Sequence, residues 1–312
     1  MIKEWEQGEV AFRYEETENG IRLVQWKGNG SCAKLPEEIH GMPLTVIGKK
    51  AFLSNKRILE IYLPDGIREI GDWAFAYCGR LNSIFMPQKD IAFGKGVFLE
   101  CQKLEQIRLH KVGEAQKDGR LLWQQIQEPD DIGSLLAAVV HKMDAPYLFD
   151  LMEAGEKDWV QKWDARLLQI LHTPDREGYS KTILCGEEDY GSMESNLDFF
   201  LSQKRRSKVR LALIRLLHTM GLSEEMRQQL EEYLRSYAKG CMFEETWLVV
   251  KEEYGGKKEY YDLLVSVGAL TERNFDGVLS DMGNELAEMK AYLLKQKEKW
   301  FGQDNFFDSL SL

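Results

Sequence analysis

Histidine and cysteine are the side chains whose spacing would most readily reveal a catalytic or metal-binding site. The chain has five of each, scattered singly through its 312 residues. The histidines are His40, His110, His141, His172 and His218, and the cysteines are Cys32, Cys78, Cys101, Cys185 and Cys241. Zinc sites use closely spaced pairs of such ligands, and neither a CxxC nor a comparable histidine pair occurs. The spacing therefore predicts no metal site, and we expect the cysteines to be buried, reduced thiols.

Three other groups of residues could carry chemistry. Cys185 and His172 could act as nucleophile and base, although nothing in the sequence fixes their geometry. The acidic residues 187–189 could bind a metal, and the basic segment QKRRSK at residues 203–208 could bind phosphate. A solvated loop and a solvated linker are the simpler interpretations of these two segments. Because phosphate-binding and nucleophile-elbow motifs are also missing from the sequence, we expect no catalytic residue, no cofactor and no enzymatic activity.

The charge distribution limits the classes of partner. The net charge of −10 disfavours nucleic acid, because binding a polyanion requires a basic face. Residues 1–120 carry 18 Lys and Arg against 17 Asp and Glu, whereas residues 121–312 carry 23 against 34. The sequence contains no run of about 18 apolar residues, so it predicts no membrane-spanning helix. The N-terminal residues also lack the apolar core of a signal peptide. The sequence thus predicts a cytoplasmic protein without membrane contact.

The strongest pattern in the sequence is an internal repeat whose unit is about 23 residues long. The pair Ala51-Phe52 recurs as Ala74-Phe75 and again as Val97-Phe98. The same step links further columns: Gly48, Gly71 and Gly94; Asn55, Cys78 and Cys101; Ile58, Leu81 and Leu104; Ile61, Ile84 and Ile107; Leu63, Met86 and Leu109. A unit of this length cannot bury its own apolar face, so consecutive copies must stack on one another.

Each part of one copy, IGDWAFAYCGRLNSIFMP, has a structural interpretation. Phe75 is expected to fill the interior of a coil, and Cys78 to face the backbone of a turn beside it. The segment LNSIFM alternates as a strand does, with Ile84 inward and Phe85 outward. The repeat therefore predicts a solenoid in which each copy supplies one turn and one strand.

The copies IGKKAFLSNKRILEIYLP and IGDWAFAYCGRLNSIFMP resemble the BspA-type leucine-rich repeat, over roughly residues 8–112. Upstream, alternation on both sides of Asn19-Gly20 predicts a hairpin with a type I′ turn. The segment LPEEIHGMPLTVIG resembles a first coil, although Leu35-Pro36 precedes Leu63-Pro64 by more than one full period. The resemblance implies a binding role, and many family members are exported surface proteins. An exported or cell-surface adhesin-like protein is therefore an alternative to the cytoplasmic prediction.

After Gly119 the apolar period becomes helical. The helical segments include SLLAAVVHKM, APYLFDLMEAG, DARLLQILH, VRLALIRLLHTMG, EEMRQQLEEYLRSYAKG, KEYYDLLVSVGAL and ELAEMKAYLLKQKEKW. Ser223 and Thr271 are expected to begin helices, and His218 to lie near a helix C-terminus. The glycines expected to end helices are Gly155, Gly221, Gly240 and Gly268. The pattern predicts stacked helical hairpins, and the segment that begins at YYDLLVSVGAL resembles a degenerate ankyrin-type pair.

The predicted binding surface lies on the strands of the solenoid. Its six residues are Glu60, Tyr62, Ser83, Phe85, Gln106 and Arg108, which fall in two columns of the repeat. The column of Tyr62, Phe85 and Arg108 should point outward, and such residue types are enriched in binding hot spots. Two alternatives are a cross-strand ladder that only stabilises the sheet, and burial of the column against the helical half.

Together these patterns predict an α+β protein. Residues 1–118 form an N-terminal hairpin and a short BspA-like leucine-rich solenoid, and residues 119–312 form an acidic, ankyrin-like domain of helical hairpins. The predicted function is a non-enzymatic scaffold that binds a protein partner, with no cofactor, metal, nucleic acid or membrane. A surface adhesin-like protein and an enzyme hidden in the helical half are the alternatives.

Overall fold

Each repeat of the N-terminal part contributes two short parallel strands, one more than the sequence pattern predicts. The computed structural model describes residues 1–113, 130–180, 196–238 and 244–302. The strands are β1 (Ile2–Gln7), β2 (Val10–Thr17), β3 (Gly20–Trp26), β4 (Cys32–Lys34), β5 (Glu38–Ile39), β6 (Met42–Ile47), β7 (Glu60–Tyr62), β8 (Glu69–Ile70), β9 (Ser83–Pro87), β10 (Ala92–Phe93) and β11 (Gln106–His110).

These strands form two sheets along the solenoid. One sheet is wholly parallel, in the order β4-β7-β9-β11, and Ile61, Ile84 and Ile107 are direct neighbours in its register. The other has the order β1-β2-β3-β6-β8-β10, with β5 paired to β6. Each coil thus contributes one strand to each sheet, and the solenoid has about four turns. The α+β fold class and the leucine-rich solenoid are confirmed.

A stack of aromatic rings fills the interior of the coils. Trp26 stacks on Phe52 at a centroid distance of 5.2 Å. Phe52 and Phe75 are 5.2 Å apart, and Phe75 and Phe98 are 5.6 Å apart. Phe52 and Phe75 are at most 1% exposed, which confirms that the phenylalanine of each repeat fills the coil. Because each ring contacts the next, the interior is continuous along the solenoid.

The cysteines of the repeat face turn backbone. Cys78 Sγ donates to the carbonyl of Phe52 at 3.1 Å, and Cys101 Sγ donates to the carbonyl of Phe75 at 3.0 Å. Both are free, buried thiols. The interaction with the neighbouring Cys78 thiol, followed by burial, raises the pKa of Cys101. The column is therefore a structural ladder, as the sequence indicated.

The turns between the two sheets form a third edge of the solenoid. We call residues 48–57, 71–80 and 94–103 the turn edge. Its turns are joined by backbone hydrogen bonds: Lys50 N–H donates to Asp72 O at 2.9 Å, and Trp73 N–H donates to Lys95 O at 2.9 Å. These bonds hold equivalent positions of successive turns beside one another.

The N-terminal hairpin is confirmed, but the type I′ turn at Asn19-Gly20 is wrong. Thr17 pairs directly with Gly20, so the two loop residues are Glu18 and Asn19. Gly20 is the first residue of β3, and a Cβ atom there would lie 2.5 Å from the carbonyl oxygen of Pro43. The glycine is required by the close approach of β6. The hairpin extends further than predicted, because β1 pairs with β2.

The long spacing of the first coil also has a structural cause. Lys34 pairs with Tyr62, a separation longer than one repeat, whereas Ile47 pairs with Ile70, which lies one repeat later. The extra residues form a small hairpin in which Ile39 pairs with Met42. The insertion is therefore absorbed by β5 and the start of β6, and the register of the later coils is unaffected.

Helices follow the solenoid. Those described are α1 (Asp131–Ala138), α2 (Lys157–His172), α3 (Leu197–Leu217), α4 (Glu224–Ser236), α5 (Glu245–Glu253), α6 (Lys258–Ser266), α7 (Glu272–Asp281) and α8 (Ala287–Phe301). A π-helical turn spans Val139–Met143 and a 3₁₀ turn spans Pro146–Leu148. The segment APYLFDLMEAG, predicted as an α-helix, thus forms a 3₁₀ turn and further turns. Asp144, directly before this segment, has φ of 47°, and Phe149, which follows the 3₁₀ turn, has ψ of 66°, so the backbone leaves the helical region on both sides of the turn.

The predicted helix boundaries are largely confirmed. Ser223 Oγ accepts a hydrogen bond from Met226 N–H at 3.2 Å, and Thr271 begins α7 in a capping box with Asn274. Gly268 directly follows the C-cap of α6 with φ of 71°, as predicted, and Gly221, with φ of 65°, lies four residues after the end of α3. Gly155 ends a series of turns rather than a helix, so its predicted role is wrong. Gly240 lies outside the described residues.

The chain divides into two units, Met1–Trp163 and Asp164–Leu312. The predicted boundary at residues 118 and 119 falls outside the described residues. Within the first unit, α1 packs at β11, where Gln106 donates to Ser134 Oγ. Phe149 meets Phe98 edge-on at 6.2 Å, which extends the aromatic stack by one ring. Residues after the solenoid therefore complete the core of the first unit.

In the second unit, a buried arginine links two helices. Arg215, on α3, is fully buried, and its Nε and Nη2 lie 2.6 and 3.1 Å from the two carboxylate oxygens of Asp164. The same guanidinium donates to the carbonyls of His218 and Met220 beyond the end of α3. His218 lies at the C-terminus of α3, as predicted, but Arg215 satisfies the carbonyls there.

Candidate protein-binding site

The structure places the six predicted binding residues side by side. Glu60, Ser83 and Gln106 are direct neighbours in the register of the parallel sheet. Tyr62, Phe85 and Arg108 are neighbours in the same register, two residues further along. The spacing of the repeat therefore predicted correctly which of these residues are neighbours.

The side chains of the second column interact closely. The rings of Tyr62 and Phe85 stack at 4.2 Å with an interplanar angle of 5°. The guanidinium of Arg108 lies 5.8 Å from the centre of the Phe85 ring, within the range of a cation–π contact. Tyr62 Oη donates to Glu60 at 3.1 Å. Burial and then the negative charge of Glu60 raise the pKa of the Tyr62 hydroxyl, so it stays protonated.

The expectation that this column is exposed is wrong. Tyr62 is 8% exposed and Phe85 is 4% exposed, and Ser83 is also buried. Glu60, Gln106 and Arg108 are half-buried. Strand β9 is thus buried on both faces, because its outward side chains are covered as well as its inward ones. The stacked contacts of Tyr62, Phe85 and Arg108 have the geometry of a cross-strand ladder, the first alternative named for this column. That the column binds a protein stays a prediction.

A polar cluster closes the end of the strands where the chain leaves the sheet. His110 Nε2 lies 3.0 Å from Asp65 Oδ1, and Gly113 N–H donates to Asp65 Oδ2 at 2.7 Å. The backbone N–H of Asp65 donates to Glu37, whose pKa is raised by burial. The cluster joins three coils, and sequence reasoning missed it because Asp65 and His110 are 45 residues apart. Its geometry serves to fix the coil ends.

The remaining chemical candidates are placed apart or not described. Cys185 and the acidic residues 187–189 lie outside the described residues, and His172 is the last residue of α2. Within the described ranges, no group of three or more His, Cys, Asp or Glu side chains could hold a metal ion. Likewise, no helix of these ranges is long and apolar enough to cross a membrane.

The basic segment at residues 203–208 is not a linker. It lies inside α3, where Arg205 is 3.0 Å from Asp175 and Lys208 is 2.7 Å from the same carboxylate. Arg206 pairs with Glu252. The positive charges are therefore used in contacts with acidic side chains of the second unit, which accounts for a basic stretch within an acidic region.

Within residues 48–103, the exposed large apolar side chains lie on the turn edge rather than on the strands. They are Leu53, Tyr77 and Leu99. Sequence reasoning missed them because their columns vary between copies, with Ala76 between the two leucines and Ser54 and Glu100 on either side of Tyr77. In the sequence, such residues can be found as apolar side chains at positions that vary between the copies of a regular repeat.

Comparison with known proteins gives a family for part of the chain. Residues 31–117 match the model of the BspA type leucine rich repeat region, with six copies. Among solved structures, a leucine rich repeat protein of T. pallidum is 31% identical, with a TM-score of 0.30, and the match covers 31% of this chain and 46% of that one.

Two further solved structures are similar over about a third of the chain. A leucine rich cell surface protein of Faecalibacterium prausnitzii is 21% identical, covering 35% of this chain and 32% of that one, with a TM-score of 0.29. A leucine-rich repeat protein of Bacteroides capillosus is 20% identical, covering 34% and 98%, with a TM-score of 0.29. The match spans less than half of the length of the first two structures. No curated protein matches this chain.

Proposed function

Because residues 31–117 are a BspA-type leucine-rich repeat region, we propose that this chain is a non-enzymatic scaffold that binds another protein. Stacked coils offer an extended open surface, which suits a macromolecular partner better than a small molecule. The observation that carries the proposal is the regular stacking of the coils, in which equivalent residues of β7, β9 and β11 are direct neighbours. The ankyrin-like interpretation of the helical residues stays a prediction.

Only part of the predicted binding surface on the strands is accessible to a partner. Tyr62 and Phe85 are buried on the same face of the sheet, and a partner would contact the half-buried Glu60 and Arg108 beside them, since Gln106 already bonds Ser134 of α1. The side chains of Glu60 and Arg108 carry opposite charges, so they would set orientation more than affinity.

A cytoplasmic location is part of the proposal. It is supported by the free thiols of Cys32, Cys78 and Cys101, because oxidising compartments favour disulfides. The surface location named for the protein of Faecalibacterium prausnitzii is the alternative. Biotinylation of intact cells separates the two: labelling of the native protein would contradict the cytoplasmic location.

The scaffold function is tested by capture from the native host. The tagged full chain should retain a partner in fixed stoichiometry, and the purified pair should re-form a complex in isothermal titration calorimetry. The matched bait is a chain that keeps the helical residues but lacks residues 31–113. If both baits recover the same protein equally, the solenoid does not supply the binding surface and the proposal fails.

A further inference from the structure

Three consecutive turns of the solenoid expose an apolar side chain each. Leu53 is 38% exposed, Tyr77 is 51% exposed and Leu99 is 44% exposed. Tyr77 N–H donates to the carbonyl of Leu99 at 2.7 Å, and Ser54 N–H donates to the carbonyl of Ala76 at 2.8 Å. These bonds hold the three turns together, so the exposed side chains lie along one edge of the molecule. Single exposed leucines are ordinary, but a row of three on adjacent coils marks an interaction surface.

The turn edge is basic in an acidic protein. It holds seven basic residues and two acidic ones, a net charge of +5, whereas the whole chain carries −10 and the rest of it therefore −15. The basic residues are Lys49, Lys50, Lys56, Arg57, Arg80, Lys95 and Lys103, and all of them are exposed. Such a local reversal of sign attracts and orients an acidic partner.

Aromatic side chains on this edge occupy backbone conformations that suit smaller residues better. Trp73 has φ of 54° and Tyr77 has φ of 60°, and the third copy has Gly96 at the position of Trp73, with φ of 57°. Lys50 and the pair Ser54 and Glu100 have the same conformation at the equivalent positions, so each turn of the edge presents these positions in the same way. The ammonium groups of Lys49 and Lys50 lie 4.9 and 5.4 Å from the Trp73 ring, which places positive charge beside the aromatic surface.

We propose that the turn edge binds an acidic segment of a partner protein in which apolar side chains alternate with Asp and Glu. The lysines would pair with the carboxylates, and Leu53, Tyr77 and Leu99 would contact the apolar side chains. The inference rests on the proposed scaffold function and assigns it a surface and a partner chemistry. Nucleic acid fits less well, because the −15 charge of the remaining chain repels a polyanion.

The first test uses synthetic probes and the full chain. A fluorescein-labelled peptide of twelve residues, with Asp and Glu alternating with Leu and Phe, should bind in fluorescence anisotropy, and raising the salt should weaken binding. Replacing its acids by Lys, or its Leu and Phe by Ser, should each weaken binding about tenfold or more. A labelled single-stranded oligonucleotide that binds more tightly than the acidic peptide would overturn the proposal.

The second test uses two variants of the edge. Leu53→Ser/Tyr77→Asn/Leu99→Ser removes the apolar row, with Asn chosen because it tolerates the left-handed backbone. Lys49→Glu/Lys95→Glu reverses the charge at two exposed positions and leaves the apolar row intact. Each variant should bind the acidic peptide about tenfold more weakly and should have the same melting temperature as the wild type. The control is Tyr147→Ser/Met152→Ser, which removes two exposed apolar side chains of the first unit outside the residues of the turn edge and should bind like the wild type.

The outcomes separate this inference from the scaffold function. If the charge-reversed variant folds and binds the peptide as the wild type does, the edge is not the site, whatever partner the host supplies. If both edge variants still recover the host partner in full, the scaffold function stands and the edge assignment falls. If the edge variants lose self-association in analytical ultracentrifugation but still bind the peptide, the edge binds a second copy of this chain. That outcome would also contradict the proposal.

Discussion

The outward column of the parallel sheet illustrates what an individual residue type means in this molecule. Tyr62 and Phe85 are residue types common in binding sites, yet here their rings stack on each other in a buried layer. Tyr77, in the same coil as Phe85, is half exposed because it lies on the turn. Two aromatic residues of one coil therefore have opposite roles, one in packing and one at the surface.

Replacing Phe85 by Ala should destabilise the protein by about 3–5 kcal/mol, because the substitution leaves a cavity and removes the stacking partner of Tyr62. The measurement is urea unfolding followed by circular dichroism. Tyr77→Asn is the matched control, and this surface change should alter the free energy of unfolding by no more than about 0.5 kcal/mol. A Phe85→Ala effect as small as that of the control would mean that the column is accessible, and the strand-binding hypothesis would regain its support.

At the scale of elements, the residues that follow the solenoid provide its cap. Helix α1 packs at β11, and the chain then leaves the helix through the π-helical turn Val139–Met143. His141 lies in this turn, and burial, assisted by the charge of Lys142, lowers its pKa to about 4. The imidazole is therefore neutral in the folded protein at pH values where an unfolded chain would protonate it.

This shift predicts a pH dependence of stability. Above about pH 6.5 neither state binds a proton at His141, so the residue contributes no pH dependence. As the pH falls from 6.5 towards 4, only the unfolded state takes up the proton, and the free energy of unfolding falls by up to about 3 kcal/mol. His141→Gln should abolish this part of the loss in urea unfolding measured at several pH values. Parallel profiles of the two proteins between pH 6.5 and 4 would contradict the assignment.

At the scale of the whole molecule, the first unit extends beyond the repeat. Trp159 Nε1 donates to the carbonyl of Leu148 at 2.9 Å, and Trp163 Nε1 donates to the carbonyl of Leu135 at 3.2 Å. Both indoles are buried, as is most of α1. A terminal coil of a solenoid needs such a cover, because its open end would otherwise expose the core and the edge of the sheet.

A fragment of residues 1–172, which ends with α2, should therefore unfold at a higher temperature than a fragment of residues 1–118. The shorter fragment lacks the cover over β11 and over the ring of Phe98, so we expect it to aggregate or to melt early. Differential scanning calorimetry of both fragments is the measurement, with the full chain as the reference. Equal melting temperatures would show that the solenoid is complete at residue 118, where the sequence pattern ends.

The repeat made much of this architecture predictable. Its constant period sets the register of Ile61, Ile84 and Ile107, and it places one phenylalanine in each coil. These features depend on contacts between similar neighbouring units, so the spacing along the chain determines the spacing in space. The cysteine ladder and several helix ends were predictable for a similar reason, since local backbone chemistry controls them.

Other features required the tertiary structure. The burial of Phe85, the ion pair of Arg215 with Asp164 and the cluster of Asp65 with His110 depend on segments 45 or more residues apart, or on what covers a sheet face. Residue type and period cannot specify such partners. The sequence alone thus determined that the chain forms a solenoid and which residues lie in each column. Only the tertiary structure decided which columns are buried, because the burial of a side chain depends on all of its neighbours in space and not on its place in the repeat.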